Sequence, residues 1–582
     1  MPPRPLVLRD APKGFHADVE KIVPPEETVA RLRRRLAALD LDILAETRRI
    51  DNGRLGIPVY FSICGRDARR VIGNRKQMGK GATPAQAEAS AVMELAERYS
   101  LFSFKQEEAN FTTATARSLG TEAIASQRLA QSVHDASDEG AIALEVLADL
   151  PLRWTWAHDL TAGRTVRIPF DWFYAINAYN GPAAGNGAEE AICQGICEVV
   201  ERHVSARIDR SRPALPAIDA DSVADPVCRD LMEKFQRRGV VLHLSDFSLD
   251  TGIPSIGVLA WDPATFPGRS EIVWTAGTAT SPARALSRTL TEVAQLAGDF
   301  DSGTNFEASG LPKFTDPSQA AFVTAPGPRR RLDELPDLSH ANIRVEVDRL
   351  IRTLADRGMP VLLVDITHPR LCVPAFYTIV PGACFRERAP QISAGLVTAK
   401  LIAETRPAAE ALARLEDFNR LLPDRHFIHF YEGVCLLELE RLDAALTHLR
   451  RAARMAPPRE DLASIQVYIA TALTRAQRWA EALEALEAAA ALDERRSDVH
   501  NLMGFCHFKR GDHRRAIACF ERVLAIDPGS AIDHANIGVN LQALGEIERA
   551  VEAYQTALSL DPGIPFAWKN LLQLQAGGGV VD

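Results

Sequence analysis

Two stretches of this chain each place a pair of carboxylates and an arginine on one helix face, and they restrict the fold more than any other feature. The first is Glu94-x-x-Glu97-Arg98, within AEASAVMELAERYS (87–100); the second is Glu198-x-x-Glu201-Arg202, about a hundred residues later. Residues three apart share a helix face, so each copy can aim two carboxylates at one point with a guanidinium beside them. Four carboxylates facing one cavity repel unless a cation sits between them. A fold that joins these helices points to magnesium and a polyphosphate. A fold that separates them leaves two solvated faces with local ion pairs, the ordinary meaning of a single copy.

The helices carrying these pairs announce their starts. Thr83-Pro84-Ala85-Gln86 has an N-cap hydroxyl, proline at the first helical position and Gln three residues after the cap, which predicts a helix to about Phe104. Asn186-Gly187-Ala188-Glu189 has a capping-box pattern before AICQGICEVVERHVSARI, where Ile192, Ile196 and Val199 or Val200 form an apolar stripe. Ser281-Pro282 opens a third helix bearing Arg284, Arg288, Glu292 and Gln295. Arg288 and Glu292 lie four apart, which suits a surface ion pair or a phosphate and metal site. Earlier, PPEETVARLRRRLAALDLDI reads as a helix with Val29, Leu32 and Leu36 at helical spacing.

Strand-like runs fill the intervals: IPVYFSICGR (57–66), RTVRIPFDWF, VVLHLSDFSL, IPSIGVLAWD, EIVWTAGTAT, PVLLVDIT and AFYTIVPG. This order predicts an α+β domain with helices packed on mixed, largely antiparallel sheet. The loop from Gly73 to Gly81 contains a decoy. A P-loop needs four residues between its glycines and Ser or Thr after the lysine, whereas here there are five and Gly81 follows Lys80. The Walker A reading is rejected, and a basic loop near a phosphate stays open.

Composition removes other classes. A chain of 582 residues exceeds one core and predicts roughly three to four domains. Charged content of 25% and a net charge of −9 give no support for nucleic acid or an anionic membrane as partner. Nine scattered cysteines, odd in number and without C-x-x-C, predict reduced thiols in a cytoplasm, with Cys193 and Cys197 as core residues. The N-terminal MPPRPLVLRDAPKGF lacks the apolar run of a signal peptide, and no stretch reaches the length of a membrane helix.

Taken in order, Ser90-x-x-x-Glu94-x-x-Glu97-Arg98, Glu198-x-x-Glu201-Arg202 and Arg288-x-x-x-Glu292 resemble the three nucleotide-binding signatures of the YcaO family. Flanks agree: Gly79 to Thr83 before the first, Asn186 to Glu190 before the second, Gly277-Thr278 before the third, then Asp365-x-Thr367 and Val380-Pro381-Gly382. The resemblance runs over roughly residues 15–400. It implies a fold without a P-loop that binds ATP with magnesium and phosphorylates a backbone amide oxygen in a peptide, leading to azolines, thioamides or amidines. In some bacteria the family assists methylthiolation of a small-subunit ribosomal protein. It implies Glu94, Glu97, Glu198, Glu201 and Glu292 as magnesium ligands, with Arg288 and Glu292 catalytic. Lys21, Thr28, Ser90, Arg98, Asn186, Glu190, Arg202 and Arg288 are implied as nucleotide-binding. Azoline-forming members end in a proline-rich tail, whereas this chain ends GGGVVD, so thioamide formation or an accessory role gains weight. No fused substrate-recognition domain is expected before the catalytic one.

A second unit is periodic. Ala470, Gly504 and Gly538 recur every 34 positions, as do Ala482, Ala516 and Ala550, and the bulky Leu486, Phe520 and Tyr554; Pro528 and Pro562 close two units. These classes resemble tetratricopeptide repeats, with a less regular copy at Gly433, Ala445 and Pro457 and a capping helix at Phe566 to Gln575. The expected order is an extended segment (1–20), a YcaO-like domain (21–395), a helical linker (396–424, part of a run from Ser393 to Leu421) and an all-α solenoid of about four repeats (425–576). The solenoid's groove would recruit a peptide or protein substrate, or a partner such as a TfuA-type protein; its other reading is a dimerisation or stability module, giving a homodimer. Two classes follow: an ATP-dependent peptide-modifying enzyme, or a non-catalytic ATP-binding accessory scaffold.

Overall fold

The computed structural model describes residues 6–14, 20–73, 77–301, 314–325, 327–386, 392–527 and 529–577, so parts of the 1–20 segment and of the Gly73 to Gly81 loop, Pro528 and most of GGGVVD lie outside the described residues. The chain divides into two compact units, Met1–Ala394 and Gly395–Asp582.

In the first unit, five helices build the site: α1 (Pro25–Leu39), α2 (Pro84–Gln106), α3 (Ala188–Ser211), α4 (Pro282–Ala297) and α5 (Ile343–Ala355). A three-stranded antiparallel sheet, Leu44–Arg49, Val59–Cys64 and Gln77–Lys80, is covered by α1 and α2; Leu32 and Leu36 meet Val92, Leu95 and Tyr99 in its core. A five-stranded sheet runs in the order Val273–Thr278, Ser255–Trp261, Val241–Asp246, Ala217–Ile218 and Arg329–Arg330; only the last pair is parallel. Helix α4 packs on it through Leu286, Leu290 and Val293. A six-stranded antiparallel sheet has Leu152–Asp159 at its branch point, pairing with Thr112–Ala114, Arg164–Pro169 and Leu362–Asp365. Beyond Leu362–Asp365 follow Ala375–Ile379 and Pro182–Ala184.

Helix α3 is central. Fifteen of its 24 residues are buried, and a Cβ on Gly195 would lie 2.3 Å from Thr378 Oγ1, so glycine allows the helix to press on the strand Ala375–Ile379. Cys197 is buried on this helix and Cys193 is half-buried. The Thr83 and Ser281 caps form as the sequence indicates: Thr83 Oγ1 accepts from Gln86 N, Gln86 Oε1 accepts from Thr83 N, and Ser281 accepts from Arg284 N. Two local readings need correction. Gly187 is the N-cap of α3 and supplies no side-chain bond; Asn186 donates through N and Nδ2 to Glu190 Oε2, at 2.8 and 3.0 Å, rather than pairing with Glu189. RTVRIPFDWF is a strand only to Pro169, after which Phe170–Asn177 is helical, because proline lacks the N–H that would continue the ladder.

The second unit is all helical. Helices Ala394–Glu404 and Ala408–Leu421 replace a single run from Ser393, broken ahead of Pro407. Four hairpins follow: α6 (His426–Glu438) with α7 (Leu442–Arg454), Arg459–Arg475 with Trp479–Leu492, Ser497–Lys509 with His513–Ile526, and Ala531–Ala543 with Ile547–Leu560; the helix Pro565–Gly577 comes last. The periodic small and bulky residues meet. A Cβ on Gly504 would lie 2.7 Å from Phe520, on Gly538 2.8 Å from Tyr554 and on Gly433 2.7 Å from Leu449. Ala482, Ala516 and Ala550 are fully buried. No helix of the described residues is long and apolar enough to cross a membrane.

Candidate functional site

The cap at Thr83 launches α2 so that Ser90, Glu94, Glu97 and Arg98 face inward, and α3 presents Gln194, Glu198, Glu201 and Arg202 opposite them. Helix α4 adds Arg288 and Glu292, and the segment before α1 adds Lys21 and Thr28. All of these, with Asn186 and Glu190, line one cavity of about 460 Å³. Every residue singled out in the sequence as a candidate site residue is therefore in the wall of a single cavity.

Short bonds fix the wall. Thr278 N donates to Glu201 Oε2 at 3.1 Å, which anchors that carboxylate to the end of strand Val273–Thr278. Arg98 reaches Glu97 at 3.5 Å and Glu94 at 3.8 Å and donates to the Tyr179 carbonyl. The N-terminal segment is strapped down residue by residue. Arg9 N donates to Glu189, Ile22 N to Glu190, Ala11 N to Asn342 and Thr28 Oγ1 to Asn186, while Lys13 pairs with Glu346 on α5 at 2.7 Å.

The electrostatics are those of an anion-lined pocket. Burial pushes the Glu94, Glu97 and Glu198 carboxyls above the ordinary glutamate value, against the pull of Arg98 and, for Glu94 and Glu198, Arg202. Lys80, in the decoy loop, pairs with Glu292. Burial draws its ammonium down to about 7 against the attraction of Glu201. The donors fit magnesium, a hard cation served by carboxylate oxygens, and the guanidinium groups fit phosphate. Arg288 and Gln295 line the cavity, and the buried Nε of the first and Oε1 of the second reach no hydrogen-bond partner.

Sequence reasoning assigned no site role to Glu20, Lys80, Gln194 or Gln295, which also line the wall. Gln194 carried a readable signal, standing four before Glu198 as Ser90 stands four before Glu94. Lys80 was set aside with the rejected P-loop.

A cavity lined by paired carboxylates and arginines, on helices over largely antiparallel sheet and without a P-loop, has the donors of a class of protein that binds magnesium and a polyphosphate. A family model described as YcaO cyclodehydratase, ATP- and Mg2+-binding, matches residues 78–384, and tetratricopeptide models match 403–460, 461–528 and 534–564. An uncharacterized protein of Methanothermobacter thermautotrophicus is 30% identical over 391 residues, 62% of this chain and 94% of the relative. An uncharacterized protein in the tfuA 3' region of Rhizobium leguminosarum bv. trifolii is 26% identical over 402 residues, 64% and 91% of the two chains. Among solved structures, a heterocyclase in complex with substrate and cofactor superposes with TM-score 0.52 at 22% identity, covering 66% of this chain and 55% of its own, which shows the fold. The chain belongs to the YcaO family and carries C-terminal tetratricopeptide repeats.

Proposed function

We propose that the cavity phosphorylates the oxygen of a backbone amide in a ribosomally made peptide or protein, leading to a thioamide, an azoline or a related backbone modification. The observation that supports this is the convergence of both Glu-x-x-Glu-Arg faces and of Arg288 and Glu292 on one cavity.

In this reading Glu94, Glu97, Glu198, Glu201 and Glu292 hold magnesium. Lys21, Thr28, Ser90, Arg98, Asn186, Glu190, Arg202 and Arg288 hold the nucleotide or orient those carboxylates. Magnesium–ATP, when bound, supplies the phosphoryl group that turns a poor amide-oxygen leaving group into a good one. The protein's own share is position and charge. Arg288 is held by Gln194 and aims its unpaired Nε into the cavity, and Thr278 N keeps Glu201 from swinging away. Lys80 neutralises Glu292 before a metal arrives.

The repeats recruit the peptide or a partner of TfuA type, a reading supported by the relative found beside tfuA. Nine unbonded cysteines favour the cytoplasm. The test is phosphate release from ATP with candidate peptides, comparing the wild type with Glu201→Gln and Arg288→Ala. Each substitution is expected to lower magnesium-dependent turnover by about a hundredfold or more. A wild type without such turnover toward any peptide or partner removes the proposal.

A further inference from the structure

The first helical hairpin departs from its three successors at two positions. Glu432 stands immediately before the small residue Gly433, where the other repeats carry Ile469, Met503 and Ile537 before theirs. His448 stands before Leu449, where the others carry Ala485, Cys519 and Ala553. Side chains of low polarity on the two paired helices have been replaced by a carboxylate and an imidazole. A third polar group, His429, lies one turn before Glu432 on α6.

The three meet. Glu432 Oε2 is 2.7 Å from His429 Nδ1 and 2.8 Å from His448 Nδ1, and Asn419 Nδ2 donates to Oε1 at 3.3 Å. The three ligand atoms all lie within 4.8 Å of one another. Glu432 and His429 are 1% exposed, whereas the His448 side chain is 33% exposed and opens the cluster to solvent on one side. Burying a carboxylate and an imidazole at positions where the sister repeats carry apolar or weakly polar side chains is costly. That cost has a return if the group holds something.

We propose that His429 Nδ1, Glu432 Oε2 and His448 Nδ1 form a divalent-cation site that ties α6 to α7, with water as a fourth ligand on the His448 side. Two imidazoles and one carboxylate suit a borderline cation such as zinc and disfavour magnesium, which selects oxygen. On binding, each ring carries its proton at Nε2 instead of Nδ1. The Nε2 of His429 is buried without a hydrogen-bond partner, so this site lacks one outer hydrogen bond of the kind worth about 10–100-fold in affinity. Binding about 10–100-fold weaker than at a site with both outer hydrogen bonds is therefore expected.

The test uses the full chain, stripped with chelator and titrated with cobalt(II) in excess magnesium. Four-coordinate cobalt with nitrogen ligands absorbs intensely in the visible, while six-coordinate cobalt on carboxylates absorbs weakly, which separates this site from the Glu-lined cavity. The expected result is one intense band per chain, displaced by zinc, lost in His448→Ala and in Glu432→Gln and retained in Glu201→Gln. If Glu432→Gln does not fold, His448→Ala decides, because its ring is partly exposed. A wild type without the band, or a His448→Ala protein that keeps it, overturns the proposal.

Discussion

Arg288 Nη1 donates to Gln194 Oε1 at 2.7 Å, joining α4 to α3 at the wall of the cavity. Without that acceptor the guanidinium is free to turn toward neighbouring carboxylates. A charged hydrogen bond of this kind is worth about 1.5–3 kcal/mol. Gln194→Ala is expected to lower the thermal midpoint and to weaken ATP binding by about tenfold, measured by melting and calorimetric titration of the same samples.

Gly79 brings the three-stranded sheet tight against α2. A Cβ there would lie 2.1 Å from both Ala87 O and Ala91 N, which are backbone atoms and cannot rotate aside. Gly79→Ala is expected to cost about 1–3 kcal/mol and to displace Lys80 with the strand. A lower thermal midpoint together with a raised KM for ATP checks both effects.

In the proposed site, Lys80 pairs with Glu292 and would compete with a metal held there. Replacing it by methionine keeps the stem and removes the charge. Lys80→Met is expected to bind manganese, without nucleotide, roughly tenfold more tightly, a gain of about 1.4 kcal/mol. Electron paramagnetic resonance of free manganese reads this directly, and an unchanged affinity would show that Lys80 is not the counter-ion.

His203 sets a pH limit on folding. Burial brings its ring down to about 4 from 6.5, and its Nδ1 accepts from Cys384 N at 3.0 Å. Between these values the unfolded chain binds a proton that the folded chain refuses, so stability is fully present above about 6.5 and falls as pH drops toward 4. The loss is on the order of 3 kcal/mol. His203→Gln should flatten the difference between urea midpoints at pH 4.5 and 7.5.

Signals that act within a turn of helix were legible in the sequence. The caps at Thr83 and Ser281 and the buried face of Val29, Leu32 and Leu36 depend on neighbours three or four residues away. The strand Leu152–Asp159 was not picked out, although it branches the six-stranded sheet, because its rank comes from three distant partners. The helix at Phe170 was hidden by aromatic residues that also favour strands. In the site, the carboxylates were marked by helical spacing. Lys80 and Gln295 carry no local pattern, and only the approach of α2, α3 and α4 gives them neighbours.

The straps on the first residues also govern when the cavity can exist. Ala11 and Asn342 are 331 positions apart, and Lys13 and Glu346 are 333 apart. At about 5–20 residues per second, the N-terminus leaves the ribosome roughly a quarter of a minute to a minute before its partners are made. Through that interval the segment is held only by its partners around the start of α3, Asn186, Glu189 and Glu190. A nascent or truncated chain lacking α5 thus carries both Glu-x-x-Glu-Arg faces before the Ala11 and Lys13 straps can close.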